Sequence, residues 1–486
     1  MMAAGELPDL VCFHNHNQAS DAIKANLLTP LDSYLSKMPN VSKNGATSLA
    51  YFRDTLGGGK TYLIGQGIGK TVFTGGFNYS VNLRWDLYKK IGKPALNSMD
   101  DLIPMLQAMQ KIEPTTPDGK KVYGFSLWPD WDGDSTLMSV AYTGFYGVET
   151  WDAYAEYDSV TGKTVNQLSD ESMYKKALAF LFRANQAGLM DPDSITQRFE
   201  NARAKFKDGR TLFAPWSWVG NVAYNTAAGA DGKTNEDSGK GYVSMFPKNM
   251  KTHLEQSSPI GYYPWAIGKT KKLDDALKFL DFWFSVESSS IIANGMEGTD
   301  WVMKDGVPTI TEKGIADMDS GAHAKAMAFY THPGLLSGFY NDKTGFPIGR
   351  GFWPQVLNRA PTSKIEQDYY ANMGISNIFD GFDLKTHSSK RIAYNLKPVM
   401  DDDTKALISK ISPIVKTASW QMIFAKSEAE FESIWKDMQA KANGLGLDKV
   451  YKTGIDILQE TFKRTQKYGD PEVIVVLKGK TSIYKH

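Results

Sequence analysis

The first third of the chain alternates between strand-like and helix-like segments, and this alternation limits the folds that are open to it. PDLVCF is typical of a short strand, and LTPLDSYLSKM has helical spacing after Thr29 and Pro30. TVFTGGFNYSVNLRWDLYKKIG predicts a strand, a turn, a second strand and a helix that ends at Gly92. SMDDLIPMLQAMQKI predicts an amphipathic helix with Ser98 as its N-cap. Such βα alternation indicates an α/β layer architecture.

The local composition of the sequence changes near Tyr123, where aromatic residues, Gly and Asp become frequent. The earlier strand and helix pattern returns near Trp265. No Pro/Ser-rich linker separates two blocks, so we predict two lobes between which the chain crosses more than once. The region toward the C-terminus is mostly helical and ends in PEVIVVLKGK, which resembles a strand. The predicted first lobe comprises residues 1–122 and 268–335, and the second lobe comprises residues 123–267 and 336–486.

Three further segments carry clear local signals. DESMYKKALAFLFRANQAGLMDPD predicts a helix that is closed by Gly188, and ENARAKFKDGRTLFAPWSWVGN predicts a helix, a turn and a strand. WVMKDGVPTIT predicts a hairpin with Asp305 and Gly306 at its turn.

Composition excludes several classes of protein. The 486 residues include 55 basic and 54 acidic side chains, a net charge of +1, whereas nucleic-acid binders usually show a basic excess. No apolar run approaches the roughly 18 residues that indicate a membrane span. The single cysteine, Cys12, lies in an apolar strand, so no intrachain disulfide forms and we expect an inert core thiol.

The segment GQGIGKT resembles a phosphate-binding loop but lacks its spacing. A P-loop has Gly, four residues and then Gly-Lys-Ser/Thr, whereas Ile64 stands where the first glycine belongs for Gly69-Lys70-Thr71. The other five Gly-Lys-Thr triplets of the chain lack that glycine as well. We therefore predict turns, and no nucleotide cofactor.

The motif HNHN places His14 and His16 two residues apart after the first strand. On a strand the two imidazoles would share one face, but no neighbouring cysteine or carboxylate cluster completes a zinc site. We expect two solvated or hydrogen-bonded loop histidines.

The motif WPDWDGDS offers Asp130, Asp132 and Asp134 at the spacing with which an EF-hand loop begins. Gly133 falls at the fourth position of that loop rather than the sixth, and no glutamate stands at the twelfth. We therefore predict no bound metal. These carboxylates beside two tryptophans fit a sugar site, in which indoles cover the apolar C–H face and carboxylates accept hydroxyl hydrogen bonds.

Tryptophans in loops are the strongest indication of a binding surface. Core tryptophans usually lie within periodic apolar segments, whereas several here lie among Gly, Pro and Asp. The loop tryptophans are Trp128, Trp131, Trp216, Trp218 and Trp353. Trp283, Trp420 and Trp435 lie in periodic segments, and we expect them to be core residues.

The chain resembles the family 1 extracellular solute-binding proteins of ABC importers, most of all the long members that bind alginate oligosaccharides and glycosaminoglycan fragments. The matching segments run nearly from end to end. They are MMAAGELPD, LRWDLYKKIG, PWAIGKTKKLDDALKFLDFWFSVES, GMEGTDWVMKDGVP, FPIGRGFWP and GLGLDKVYKTGIDILQETFKR.

The resemblance implies a two-lobe periplasmic-binding-protein-like fold of class II type, with hinge-crossing segments and a ligand cleft between the lobes. Such proteins close on their ligand by hinge motion and carry out no covalent chemistry. Residues that match the family's ligand contacts are Trp216, Trp218, Trp265, Trp301, Phe352, Trp353 and Arg84. Trp128, Trp131 and Asp132, which the loop composition indicates, complete the predicted ligand-binding set.

Two differences from the family carry further expectations. No leader precedes the opening motif, so we expect the leader, a lipid-anchor cysteine and the family's first strand upstream of this chain. The alginate binders carry an Asp/Asn-rich calcium loop, whereas IEPTTPDGKKVYGF here has only Glu113 and Asp118 as acids. The resemblance thus implies an extracytoplasmic protein, periplasmic or lipid-anchored, without calcium.

The sequence therefore predicts a monomeric, non-enzymatic binder of an oligosaccharide that serves importer permease subunits. Arg84, Arg350 and Arg359 are candidates to pair with uronate carboxylates, and equally candidates for ion pairs on the surface of the lobes. Two alternatives stay open at this point: a binder of peptides or other small solutes on the same fold, and a glycosidase with a carboxylate pair.

Overall fold

A computed structural model describes most of the chain. The described residues are 5–66, 72–73, 81–229, 231–255, 260, 263–319, 340–341, 344–357, 359, 361–376, 388–391, 393–469, 472–477 and 480–485. Most of GQGIGKT lies outside them.

The described strands are short and form several small sheets. They are Leu10–Cys12 (β1), Val72–Phe73 (β2), Val81–Arg84 (β3), Val148–Trp151 (β4), Ala155–Asp158 (β5), Thr164–Asn166 (β6), Phe213–Ala214 (β7), Tyr242–Met245 (β8), Thr252–Glu255 (β9), Trp265–Ile267 (β10), Trp301–Lys304 (β11), Val307–Ile310 (β12), Tyr340–Asn341 (β13), Phe346–Pro347 (β14), Ser388–Arg391 (β15), Glu472–Leu477 (β16) and Lys480–Lys485 (β17).

Helices surround these sheets and dominate the C-terminal region. They are His16–Lys24 (α1), Pro39–Asn44 (α2), Ala46–Thr55 (α3), Trp85–Lys90 (α4), Leu102–Ile112 (α5), Leu137–Phe145 (α6), Met173–Gln186 (α7), Phe199–Lys207 (α8), Ser217–Gly220 (α9), Leu273–Trp283 (α10), Val286–Asn294 (α11), Glu312–Asp319 (α12), Pro354–Leu357 (α13), Lys364–Met373 (α14), Asp402–Ile423 (α15), Glu428–Gly444 (α16) and Leu447–Tyr468 (α17). Among the described residues, none of these helices combines the length and the apolar character that crossing a bilayer requires.

A first group of elements is built around β1 and β10. These strands pair antiparallel, with Leu10 opposite Ile267, and an isolated bridge joins Ile64 to Trp265. Apolar side chains from α1, α2, α3 and α10 cover this sheet and form two adjoining clusters. The first group therefore draws on residues 10–64 and on residues 265–284.

A second, larger group is built around β3, which pairs antiparallel with both β7 and β8. Its core includes Val81 and Met109 together with side chains of α6, α7, α15 and α16. Ladder hydrogen bonds hold β3 in this group, and side chains of α4 and α5 pack into its core, although the predicted boundary at residues 122 and 123 assigned these elements to the first lobe. The boundary at residues 267 and 268 differs too, since β10 belongs to the sheet of the first group. The division into two lobes itself stays a prediction.

The chain passes repeatedly between the two groups. Met250 lies in the core of the second group, and Ile260 lies in a core of the first group. Further along the chain, Leu396 lies in a core of the first group and Met400 packs against the core of the second. The last long helix, α17, begins in the large core and ends with Tyr468 against Tyr51, with ring centroids 5.4 Å apart. These crossings agree with the predicted hinge-crossing segments.

Most of the local signals produce the expected elements. Ser98 forms a capping box ahead of α5, the predicted helix closed by Gly188 is α7, and β11 and β12 form the predicted hairpin. Asp305 and Gly306 turn that hairpin with positive φ values of 51° and 77°. The C-terminal strand β16 pairs with β17 and runs parallel to β2.

Some expectations differ from the structure. The helical spacing after Pro30 gives only a 3₁₀ stretch, Asp32–Lys37. His16, expected in a loop, begins α1, because Asn15 caps that helix by accepting the Gln18 N–H at 2.9 Å. Trp283, expected in the core, is only partly buried at the end of α10.

Candidate functional site

Four of the loop tryptophans come together on the second group. Trp131 ends the 3₁₀ turn Pro129–Trp131, Trp216 precedes α9, and Trp218 lies within α9. Trp128 packs beneath them, with its ring centroid 5.9 Å from that of Trp216. Two segments almost 90 residues apart in the sequence therefore build one aromatic surface.

The exposed part of this surface, which we call the tryptophan platform, consists of Trp131, Trp216 and Trp218. Trp218 stands 6.0 Å from both of its partners, at interplanar angles of 25° to Trp131 and 27° to Trp216. Trp131 is 41% exposed and Trp218 is 46% exposed. Phe199, the first residue of α8, supports Trp131 with ring centroids 4.2 Å apart.

The two large stacked rings of Trp131 and Trp218 keep part of their apolar surface exposed to water in the folded protein. Exposed apolar patches rimmed by polar groups mark binding sites, and flat aromatic faces pack against the C–H faces of sugar rings. The tryptophan platform is therefore suited to a ligand with flat apolar faces.

A narrow apolar slot lies behind the platform. Its lining includes Leu127, Trp128, Leu137, Trp216 and Trp420. The Trp128 side chain is 4% exposed and its Nε1–H has no hydrogen-bond partner among the described residues.

The aspartates of WPDWDGDS hold this arrangement together. Asp130 Oδ1 accepts the backbone N–H of Phe199 at 3.0 Å, which fixes the start of α8. Asp132 Oδ1 accepts the Leu137 N–H at 2.8 Å, and Oδ2 accepts the Trp420 Nε1–H at 2.7 Å. Both oxygens of Asp132 thus serve the protein, and this carboxylate positions Trp420 against the slot.

Burial raises the pKa of Asp132 to about 6, against the lowering effect of its two hydrogen bonds. Within the described part of the chain, no group of three or more His, Cys, Asp or Glu side chains is arranged to hold a metal ion.

A polar pocket of about 210 Å³ opens where the first group meets a crossing segment. The start of α1 supplies one wall and residues 395–399 supply the other. Its lining is Asn15, His16, Asn17, Asn395, Lys397, Pro398 and Val399. Lys397 Nζ donates to both oxygens of Asp152, at 3.0 and 2.7 Å, so its charge is already paired within the protein.

One face of α15 runs from the slot, which Trp420 lines, to Asp134, which the Ser412 side chain hydrogen-bonds. Ser412, Lys416 and Trp420 recur at four-residue spacing, which places them on one side of a helix over about 12 Å. Lys416 attracts the charges of both Asp132 and Asp134, and Asp134 also lies near Asp152 and Lys397. We call Asp132, Asp134, Asp152, Lys397 and Lys416 the polar band.

Arg84, predicted as a ligand contact, is completely buried. Its Nε and Nη2 donate to the two oxygens of Asp86 at 2.9 and 2.8 Å, and Nη1 lies 3.1 Å from Glu113 Oε1. Its guanidinium stacks 4.7 Å from the centre of the Tyr224 ring. Burial alone would lower the pKa of Arg84, but the bonds and charge of Asp86 raise it above its usual value. These contacts give Arg84 a structural role.

Trp301 and Trp353 pack against each other away from the platform. Their ring centroids are 5.5 Å apart and edge-on, and they are 6% and 2% exposed. Each indole N–H already bonds a backbone carbonyl, Trp301 to Gly295 at 3.3 Å and Trp353 to Pro347 at 2.8 Å. Phe352 stands beside them, partly buried.

Trp265 lies in β10 within a core cluster and is 9% exposed. The structure therefore brings Trp128, Trp131, Trp216, Trp218 and Asp132 together, buries Arg84 behind them against Tyr224, and leaves Trp265, Trp301 and Trp353 in other clusters.

Sequence reasoning missed Phe199 and the lining of the polar pocket. It also placed Trp420 in the core, where it is indeed buried, without its bond to Asp132. A partner 288 positions away leaves no local signal. The one local sequence signal for the pocket is the HNHN motif, because its Asn15, His16 and Asn17 line the pocket.

The sequence of the chain is similar to those of known proteins. The family described as bacterial extracellular solute-binding proteins matches residues 1–289 of the chain. The lipoprotein LipO of Bacillus subtilis (strain 168) is 24% identical over 327 residues, which span 64% of this chain and 60% of that protein.

Solved structures resemble the whole chain in fold. The Streptococcus pneumoniae substrate-binding protein FusA, an EF-hand mutant in complex with fructo-nystose, has a TM-score of 0.58 at 16% identity, covering 96% of this chain and 89% of that one. The alginate-binding protein AlgQ2, solved without calcium, has a TM-score of 0.55 at 16% identity over 95% and 87%. A solute-binding protein of Bifidobacterium longum infantis, described as HMO-binding, has a TM-score of 0.54 at 17% identity over 94% and 89%.

Proposed function

The chain belongs to the bacterial extracellular solute-binding proteins, and from that premise we propose that it captures an oligosaccharide and delivers it to the permease of an ABC importer. The observation that carries this proposal is the near-parallel pair Trp131 and Trp218, which stays exposed although both rings are large and apolar. Stacked indoles bind the flat faces of successive sugar rings and do so with little loss of side-chain entropy.

Polar groups beside the platform support the same ligand class. Sugar hydroxyls donate to carboxylates and accept from amides and ammonium groups, and both kinds of partner occur in the polar band and the polar pocket. An apolar ligand would make no use of these polar groups, and a single charged solute would leave the platform unused.

We further propose that the two groups of elements act as lobes that close on the ligand. The crossing segments between Leu396 and Met400 and along α17 would serve in the hinge. The polar pocket lies beside one of these crossings, so closure would change its shape. The protein would act as a monomer, outside the cytoplasm, in the periplasm or at a lipid anchor.

We propose binding without covalent chemistry. The proteins similar to this chain are described as binding proteins, and the best-placed carboxylate, Asp132, has both oxygens occupied by hydrogen bonds from the protein. Peptides remain the alternative ligand class.

A thermal-shift screen tests the proposal. Oligosaccharides and short peptides are added separately to the intact protein, and a ligand at 100 times its Kd raises stability by about 2.7 kcal/mol. We expect stabilisation by at least one oligosaccharide, which is recovered intact afterwards. Stabilisation by peptides alone, or hydrolysis of the sugar, would contradict the proposal.

A further inference from the structure

The charges around the platform carry an inference about the ligand, which rests on the proposed function. The three arginines that the sequence predicted as partners of a uronate already have partners within the protein. Arg84 is buried with Asp86 and Glu113. Arg359 donates to both oxygens of Asp319, at 2.7 and 2.6 Å.

Arg350 is committed as well. It is 8% exposed, and its Nη1 donates to the Asn294 carbonyl oxygen at 3.3 Å. Releasing it for a ligand would leave a buried carbonyl without this donor, which is costly.

The region that joins the slot to the polar pocket carries more acids than bases. Asp130 and the three aspartates of the polar band are the carboxylates, and Lys397 and Lys416 are the ammonium groups. Lys397 is bonded to Asp152 through both carboxylate oxygens. The single positive charge of Lys416 acts on both Asp132 and Asp134, and therefore does not neutralise both negative charges.

We propose that the platform binds a neutral oligosaccharide and discriminates against uronate-containing chains. Carboxylates accept hydrogen bonds from neutral sugar hydroxyls, whereas a uronate on the platform meets the charges of Asp130 and Asp132, which flank Trp131 in the chain, within about a Debye length, about 8 Å at physiological ionic strength. Repulsion from two or more such carboxylates weakens binding by roughly tenfold or more.

Arg198 is the residue that challenges this proposal. It is exposed and directly precedes Phe199, which supports Trp131. If the site took acidic chains, this arginine would be the natural partner of the uronate.

Matched ligand pairs test the proposal by isothermal titration. Neutral hexose oligomers of several linkages are compared with the same oligomers oxidised at C6 to uronates. For every neutral oligomer that binds, we expect its oxidised partner to bind at least about tenfold more weakly. The difference should shrink in about 1 M NaCl, where the Debye length falls to about 3 Å.

Single variants locate the discrimination. Asp130→Asn keeps an oxygen that can accept the Phe199 N–H, and Asp134→Asn removes one charge of the polar band. Each variant should reduce the ratio of affinities between the neutral and the oxidised oligomer several-fold. The control Asp437→Asn should leave this ratio unchanged, because Asp437 is an exposed residue of α16 that pairs with Lys441.

Equal or tighter binding of the oxidised oligomers overturns the proposal, and does so most clearly if Arg198→Gln abolishes it. In that case the proposed function survives, because a sugar still binds. If no member of any pair binds, the proposed function fails and this inference fails with it.

Discussion

The indole rings of Trp131 and Trp218 lie 6.0 Å apart and within 25° of parallel, and each is more than two-fifths exposed. Trp131 reaches this position because Asp130 and Asp132 fix the turn around it. Trp218 reaches it because the short helix α9 begins directly after Trp216. The platform is therefore assembled by hydrogen bonds of neighbouring residues, and its exposed faces contribute little to the fold.

Trp301 and Trp353 should behave as structural residues. Both are buried and both bond a backbone carbonyl. Replacing either with alanine leaves a cavity and an unpaired carbonyl, so Trp301→Ala and Trp353→Ala should each lower the free energy of unfolding by about 3 to 5 kcal/mol. Urea denaturation measures this loss, and affinity per folded molecule should change little. A variant that melts normally but loses its ligand would place that residue in the cleft instead.

Arg84 should be needed for folding and not for binding. Arg84→Met removes the only cation that pairs with Asp86 and Glu113 among their described contacts. Breaking a buried ion pair from one side costs about 3 to 5 kcal/mol. The variant should unfold at lower urea concentration, and Asp86→Asn should be less harmful, since an amide oxygen still accepts from Arg84. Normal stability with lost binding would contradict the structural role.

Asp132 should make stability depend on pH. Its pKa is raised from 3.8 to about 6 in the folded protein, chiefly by burial. The folded state therefore binds this proton more tightly than the unfolded chain, and the stability gained at low pH is lost as the pH rises through about 6.

The comparison with Asp132→Asn isolates this effect. Between about pH 4 and pH 7 the parent should lose stability relative to the variant, by up to about 3 kcal/mol for a shift of about two pKa units. Asp437→Asn, which changes an exposed carboxylate, serves as the control. Parallel stability profiles for the parent and Asp132→Asn would contradict the raised pKa.

Chelation should leave the protein unchanged. Among the described residues no cluster of three such carboxylates could hold a metal ion, and several candidates have partners in the protein: Asp132 bonds Leu137 and Trp420, and Asp118 bonds Thr116 and Lys120. EDTA should therefore alter neither the melting temperature nor the affinity for the ligand. A rise in melting temperature on adding Ca²⁺ to the chelated protein would reveal a metal site.

The sequence predicts local features well because their causes are local. The Ser98 capping box and the Asp305–Gly306 turn depend on residues a few positions apart. Trp131 and Trp218 were recognisable as surface residues because their neighbours favour loops.

Features that depend on distant partners were not predictable in the same way. The pairing of Arg84 with Glu113 and the bond from Trp420 to Asp132 depend on tertiary packing across many residues. The sheet to which β3 belongs was not predictable for a related reason. The residues of a strand such as β3 do not indicate which other strands will pair with it.

The most direct test of the account is the affinity of Trp131→Ala and Trp218→Ala for an oligosaccharide that stabilises the parent. Truncating a stacked aromatic anchor costs on the order of 1 to 3 kcal/mol, so each variant should bind roughly tenfold to more than a hundredfold more weakly. Their melting temperatures should stay near that of the parent, because more than two-fifths of each side chain is exposed to solvent in the folded protein.

Phe282→Ala, which removes a 48% exposed aromatic ring from α10, is the matched control and should bind normally. Isothermal titration of the three variants decides the matter: weakened binding in the two tryptophan variants alone is the predicted result. Parental affinity in both Trp131→Ala and Trp218→Ala would contradict the account.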